Sequence, residues 1–176
     1  MKKQLYLYGF IFLMLTTISS CANKENHFLK DSDYRQKVIT QFEKRKVQAA
    51  GRGDALFSVF DKENLTTEQR EALQFLYAYM PLCDLADYDG DFFLTQVNAA
   101  LEARNYFSWG KTVPDDIFRH FVLVYRINNE YLDTARVVFF EELKNRIKNL
   151  SMAEAALEVN HWCHEKVNYR GTDART

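Results

Sequence analysis

Helix-start signals recur along this chain, and they constrain its fold more than any other feature. Thr66 with Gln69, and Ser151 with Glu154, have the spacing of capping boxes, and apolar residues at helical spacing follow both. The chain holds only 6 Gly and 2 Pro in 176 residues, fewer than the many tight turns of a β-rich protein require. The sequence therefore predicts a mainly α fold.

A helical region is predicted over residues 31–149. The segment 117–127 within it is so apolar that periodicity alone does not separate a helix from a buried strand, and we favour a helix because Pro114 and two aspartates precede it. The predicted helix starts are one of Asp31, Ser32 and Asp33, then Thr66, Asp91, Pro114 and Thr134, and the predicted breaks are Gly51-Arg52-Gly53 and Pro81.

The last predicted helix begins after Ser151 and ends near Tyr169. We expect Met152, Val159 and Trp162 to be exposed unless a sheet covers them. The predicted apolar face is Met152, Ala155, Ala156, Val159, Trp162, Cys163 and Val167, and the predicted polar face is Glu154, Glu158, His161 and Glu165.

The first 20 residues have the organisation of a secretory signal peptide. Lys2 and Lys3 precede an apolar run over residues 5–15, which is shorter than the roughly 20 residues of a transmembrane helix. The pattern Ile18-Ser19-Ser20-Cys21 resembles the lipobox of bacterial lipoproteins. That resemblance implies acylation of Cys21, cleavage before it and attachment to the cell-envelope membrane. The alternative is an ordinary secreted protein with a cysteine near its cleavage site.

Residues 21–30 are predicted to form a flexible polar tether. No acidic residue follows Cys21 directly, which favours the outer membrane by resemblance to other lipoproteins. Once residues 1–20 are removed, 21 basic and 24 acidic side chains remain, so no nucleic-acid partner is expected.

Two motifs have metal-binding residue types with unsuitable spacing. His161 and His164 lie one helical turn apart, but Cys163 lies on the apolar face and no second cluster completes a zinc site. Residues 87–91 are rich in aspartate, yet alignment on Gly90 places Leu85 and Gln96 at positions where a calcium loop needs acidic ligands. The sequence predicts neither a metal site nor any other cofactor.

The remaining cysteines and the aromatic residues leave alternatives open. Cys83 and Cys163 are either a disulfide or two buried free thiols. Neither has the helix N-terminal position that suits a catalytic cysteine. Aromatic residues make up 15% of the chain, and they are expected in the core more often than at a sugar-binding surface.

Residues 155–169, read as AALEVNHWCHEKVNY, resemble the first helix of the transglutaminase-like (papain-like) core, and residues 170–176 resemble the linker that follows it in lipoproteins of Bacteroidetes. The resemblance implies that residues 150–176 begin an incomplete α+β core. Its catalytic Cys, His and Asp would come after the linker, so no catalytic residue is assigned on this chain, and Cys163 is not the nucleophile.

Two functions follow from these observations. In the first, the chain is the N-terminal fragment of a transglutaminase-like lipoprotein that acts on peptide or amide bonds by thiol acyl transfer, and the fragment itself is inactive. In the second, it is a non-enzymatic helical lipoprotein that binds a glycan, a peptide or a protein partner at the outer membrane. Whether an enzyme is involved stays open from the sequence.

Overall fold

The computed structural model describes residues 26–51, 53–84, 88–126 and 131–166. Cys21, the signal segment and the predicted linker over residues 170–176 lie outside these residues. Within them the chain is helical and has no β-strand, which confirms the mainly α class. The helices are α1 (Ser32–Gln48), α2 (Asp54–Phe57), α3 (Thr67–Tyr79), α4 (Gly90–Tyr106), α5 (Asp115–Ile117), α6 (Ala135–Ile147) and α7 (Met152–Lys166), with 3-10 turns at Ser58–Asp61 and Gly110–Thr112 and a π-helical turn at Phe118–Val122.

Most of the predicted helix ends are confirmed. Asp31 caps α1 by accepting a hydrogen bond from the Tyr34 backbone N–H at 2.6 Å, and the capping box of Thr66 with Gln69 is formed at α3. Ser151 and Glu154 exchange the same pair of contacts before α7. Helix α3 ends at Tyr79 because Met80 has the extended backbone that a following proline favours.

The predicted start of α4 at Asp91 is wrong. The cap is Asp89, whose carboxylate accepts the Phe92 backbone N–H at 2.8 Å, so the helix begins at Gly90. A Cβ at Gly90 would lie 2.5 Å from the Leu56 carbonyl oxygen and from the Val59 Cβ, so only glycine allows this close packing. Asp91 instead forms an ion pair with Lys62.

The helix favoured over residues 117–127 is confirmed only as far as Val122, since residues 123–126 are not helical, and the helical part is not a regular α-helix. After α5, the Leu123 backbone N–H donates to the Phe118 carbonyl oxygen at 2.9 Å, which is the wider repeat of a π-turn. Phe118 is buried, and its ring centroid lies 6.1 Å from that of Phe28.

The helices pack in chain order around two separate apolar clusters. Helix α1 packs on α3, α3 on α4, α4 on α6 and α6 on α7. The larger cluster surrounds Tyr77 and Phe93 and is built from α1 to α4, and the smaller cluster holds Phe107, Ile147 and Ala155. Among the described residues no helix is both long and apolar enough to cross a bilayer.

The C-terminal part of the predicted tether packs against the helices. Phe28 is 3% exposed and Leu29 is fully buried, and both belong to the larger cluster. Burial of these two apolar side chains stabilises the folded state. The buried Leu29 backbone N–H donates a hydrogen bond to the Glu71 carboxylate at 2.8 Å. The chain is therefore docked on the helices from about His27 onward.

Helix α7 is covered by α6 without a sheet. Trp162 is buried, and its ring centroid lies 5.0 Å from that of Phe139. Val159 is half-buried, Met152 is exposed as expected, and Cys163 is exposed although it was placed on the apolar face. The buried face follows Ala155, Val159 and Trp162, and Cys163 lies one residue further around the helix.

Candidate functional site

A cleft of about 530 Å³ with both apolar and charged lining lies between the end of α3 and the π-turn. Phe75, Leu76 and Met80 line it from α3 and its C-cap, and all three side chains are buried. Positive side chains line the other wall. The remaining lining residues are Tyr79, Pro81, Arg119, His120, Val124, Tyr125 and Arg126. We call this space the α3 cleft.

Local sequence signals explain both walls of the α3 cleft. Pro81 terminates α3. Tyr79, the last residue of the helix, is 54% exposed at the rim of the cleft. Across the cleft, burial of Phe118 fixes the π-turn, and Arg104 lies over its ring at 4.4 Å from the centroid. The π-turn then presents Arg119 and His120 to the cleft.

A buried carboxylate ties the two walls together. Asp84 is 3% exposed. It accepts a hydrogen bond from the Tyr125 hydroxyl at 2.6 Å and forms an ion pair with Arg126 at 3.2 Å. Burial raises the pKa of Tyr125, and the hydrogen bond to Asp84 raises it further. Tyr125 therefore stays neutral and donates its proton to Asp84. These contacts join the loop after α3 to the segment after the π-turn.

Arg119 is the cleft residue whose hydrogen bonding is incomplete. Its guanidinium lies 5.1 Å from the Tyr34 ring centroid, while its buried Nε has no hydrogen-bond partner within the described part of the chain. Burial raises the pKa of Tyr34, and the contact with Arg119 opposes this rise. A buried donor without an acceptor costs about 1–3 kcal/mol, so this side chain gains free energy if ligand binding moves its Nε to an acceptor.

Cys83 and Asp84 lie next to each other beside the cleft. Cys83, beside the cleft, is exposed, and its thiol donates to Asp84 at 3.5 Å. The described residues place no histidine in hydrogen-bond contact with this thiol, and that contact is what activates the nucleophile in thiol acyl transfer. Asp84 is already engaged by Tyr125 and Arg126.

The site residues considered from the sequence are not brought together. His161 and His164 are exposed on α7, and Asp89 is a helix cap. Within residues 26–51, 53–84, 88–126 and 131–166, no group of three His, Cys, Asp or Glu side chains is placed to hold a metal ion. Cys83 and Cys163 are free and exposed, so the structure forms neither alternative expected for them. Cys21 and Asp87 lie outside the described residues.

Sequence reasoning did not identify the α3 cleft. The local sequence signal for it is the pair Arg119-His120 inside the apolar segment 117–127, because polar side chains are uncommon in a buried apolar segment. The opposite wall comes from α3 and the loop after it, and nothing in the sequence pattern shows that these segments meet.

Comparisons with protein families, with curated proteins and with solved structures found no match for this chain.

Proposed function

We propose that this protein is a lipid-anchored binding protein of the bacterial cell envelope, attached through Cys21 and presenting the α3 cleft to a ligand. The pattern Ile18-Ser19-Ser20-Cys21 after a basic and apolar leader supports the anchor. Two or three acyl chains on one residue hold a protein on a membrane stably, where a single chain binds reversibly. The outer membrane is the proposed location, because no acidic residue follows Cys21 directly.

The docked N-terminal segment supports the same proposal. Asn26 follows Cys21 by five positions, so at full extension the anchor lies within about 18 Å of the folded body. From there Glu71 holds the chain through the Leu29 backbone N–H at 2.8 Å and the His27 ring at 2.6 Å. A lipid on Cys21 would therefore keep the helices close to the bilayer surface.

The observation that carries the binding role is the composition of the α3 cleft. It combines buried apolar walls with positive side chains, and its volume falls in the usual range of about 300–1,000 Å³ for small-molecule sites. Arg119 adds a buried donor that has no acceptor among the described residues. A binding role accounts for these features without requiring a nucleophile.

Metabolic labelling with a fatty-acid analogue tests the anchor. The wild type should be labelled and Cys21→Ala should not, because the acyl chains attach to that thiol. Cys83→Ala removes an exposed thiol elsewhere and should be labelled like the wild type. Labelling that persists in Cys21→Ala would contradict the anchor.

The second candidate is the N-terminal part of a transglutaminase-like lipoprotein. It is favoured by α7, which forms a helix over Met152–Lys166 within the segment that resembles the first helix of that core. The test is the intact mass and peptide map of the native protein from its membrane. Residues beyond Thr176 that carry Cys, His and Asp in that order would support this candidate, and a native protein without them would oppose it.

A further inference from the structure

We propose that the α3 cleft binds an anionic amphiphile, a small molecule in which an apolar chain or ring ends in one carboxylate or phosphate. This inference rests on the proposed binding role of the cleft and names the class of ligand. It follows from which cleft side chains are apolar, which charges are already paired and how large the cleft is.

The apolar part of the ligand would lie against α3 and its C-terminal end. Phe75 and Met80 are 4% and 1% exposed, so they form a fixed apolar floor. Tyr79 and Pro81 are exposed at the rim and would lose contact with water when a chain or ring covers them. Tyr79 also lies 5.3 Å from Phe75 between ring centroids, which extends the apolar surface outward.

The charges of the opposite wall select an anion. Arg126 is neutralised by Asp84 at 3.2 Å. Arg119 contacts the Tyr34 ring, and no carboxylate of the described residues pairs with it. An anionic group in the cleft would accept hydrogen bonds from the Arg119 guanidinium, and charge-assisted bonds of this kind are the stronger ones.

The size of the cleft favours a small molecule over a surface partner. It holds about 530 Å³, within the usual range of small-molecule sites, and a headgroup that stays in an intact bilayer would not fill it. A compact ligand fills the cleft with its apolar part and brings its anionic end to the arginine. Carboxylate and phosphate share this chemistry, and the experiment separates them.

The test is calorimetric titration of the mature lipoprotein in bilayer nanodiscs, with empty nanodiscs as the blank. The probes are 4-phenylbutyrate, 4-phenylbutyl phosphate and the neutral 4-phenylbutanol. At least one anion should bind about tenfold or more tightly than the alcohol, and the tighter anion identifies the preferred end group. Equal affinities for the alcohol and both anions would overturn the ligand class and leave a purely apolar binding cleft.

Variants assign the effect to Arg119. In Arg119→Gln the anion should lose about tenfold in affinity while the alcohol keeps its own, and Arg119→Lys should retain part of the preference for the anion. Lys111→Gln removes an exposed positive charge outside the cleft and should change neither affinity. Equal losses for anion and alcohol in Arg119→Gln would show a structural role and overturn the proposal.

A third result separates this inference from the proposed function. If no probe binds to the wild type, both the ligand class and the binding role of the cleft fail, whereas the membrane anchor is judged by the labelling of Cys21.

Discussion

Glu71 shows how much of this structure depends on one buried carboxylate. It lies on α3 and is 5% exposed. Its oxygens accept the Leu29 backbone N–H at 2.8 Å, contact the His27 ring at 2.6 Å and meet Arg35 of α1 at 3.4 Å. A buried acid without partners would be costly, and here each contact also fixes a separate segment. Glu71 thus joins the N-terminal segment, α1 and α3.

Replacing Glu71 with Ala should lower the free energy of unfolding by about 1–3 kcal/mol, because the buried Leu29 N–H loses its acceptor and Arg35 loses its partner. Urea unfolding followed by circular dichroism measures the loss. The Leu29 amide should also exchange with solvent much faster than in the wild type. Glu63→Ala, at an exposed turn before α3, is the matched control and should change neither quantity. Unchanged protection of Leu29 in Glu71→Ala would contradict this account.

At the scale of elements, α7 is attached to α6 by an apolar contact and by ion pairs. Trp162 packs on Phe139, with 5.0 Å between ring centroids. Arg146 of α6 binds both Glu158 and Glu165, so the polar face of α7 is used in packing as well. The sequence pattern identified this face correctly as charged, and its partner on the preceding helix was not visible from periodicity.

Trp162→Ala should destabilise the packing of α7 by about 3 kcal/mol, the lower end of the range for a buried tryptophan. Arg146→Met should cost much less than Trp162→Ala, because exposed ion pairs contribute little. Thermal unfolding monitored by circular dichroism compares the two variants with the wild type. A larger effect of Arg146→Met than of Trp162→Ala would show that charge, and not burial, holds this helix.

Local interactions were predictable from the sequence, and contacts between distant segments were not. The caps at Asp31, Thr66 and Ser151 depend on residues three positions away, so spacing identified them. The cap at Asp89 was missed because the packing of Gly90 against Leu56 and Val59 fixes the start of α4. The same limit explains the α3 cleft and the burial of Phe28 and Leu29, which depend on segments far apart in the chain.

For the whole molecule, the two apolar clusters divide the fold unequally. Helix α4 connects them, since Val97 and Leu101 belong to the larger cluster and Phe107, just after the helix, belongs to the smaller one. Helix α6, which covers the smaller cluster, has apolar side chains that are partly in solvent, since Val138 is 48% exposed and Phe139 is 44% exposed. The larger cluster instead contains fully buried side chains such as Leu73 and Tyr77.

This division predicts that α6 and α7 open together before the rest of the protein unfolds. Regions with few buried apolar contacts exchange their amide hydrogens through partial openings of lower free energy. Native-state hydrogen exchange of the whole protein in increasing urea should therefore give one shared, lower opening free energy for the amides of Ala135–Ile147 and Met152–Lys166. The amides of Thr67–Tyr79 should exchange only by global unfolding. Trp162→Ala should lower both values by about the same amount, because its contact is lost in the partial opening and in global unfolding alike. A single opening free energy shared by these three segments and Gly90–Tyr106 would instead mean that the two clusters unfold as one unit.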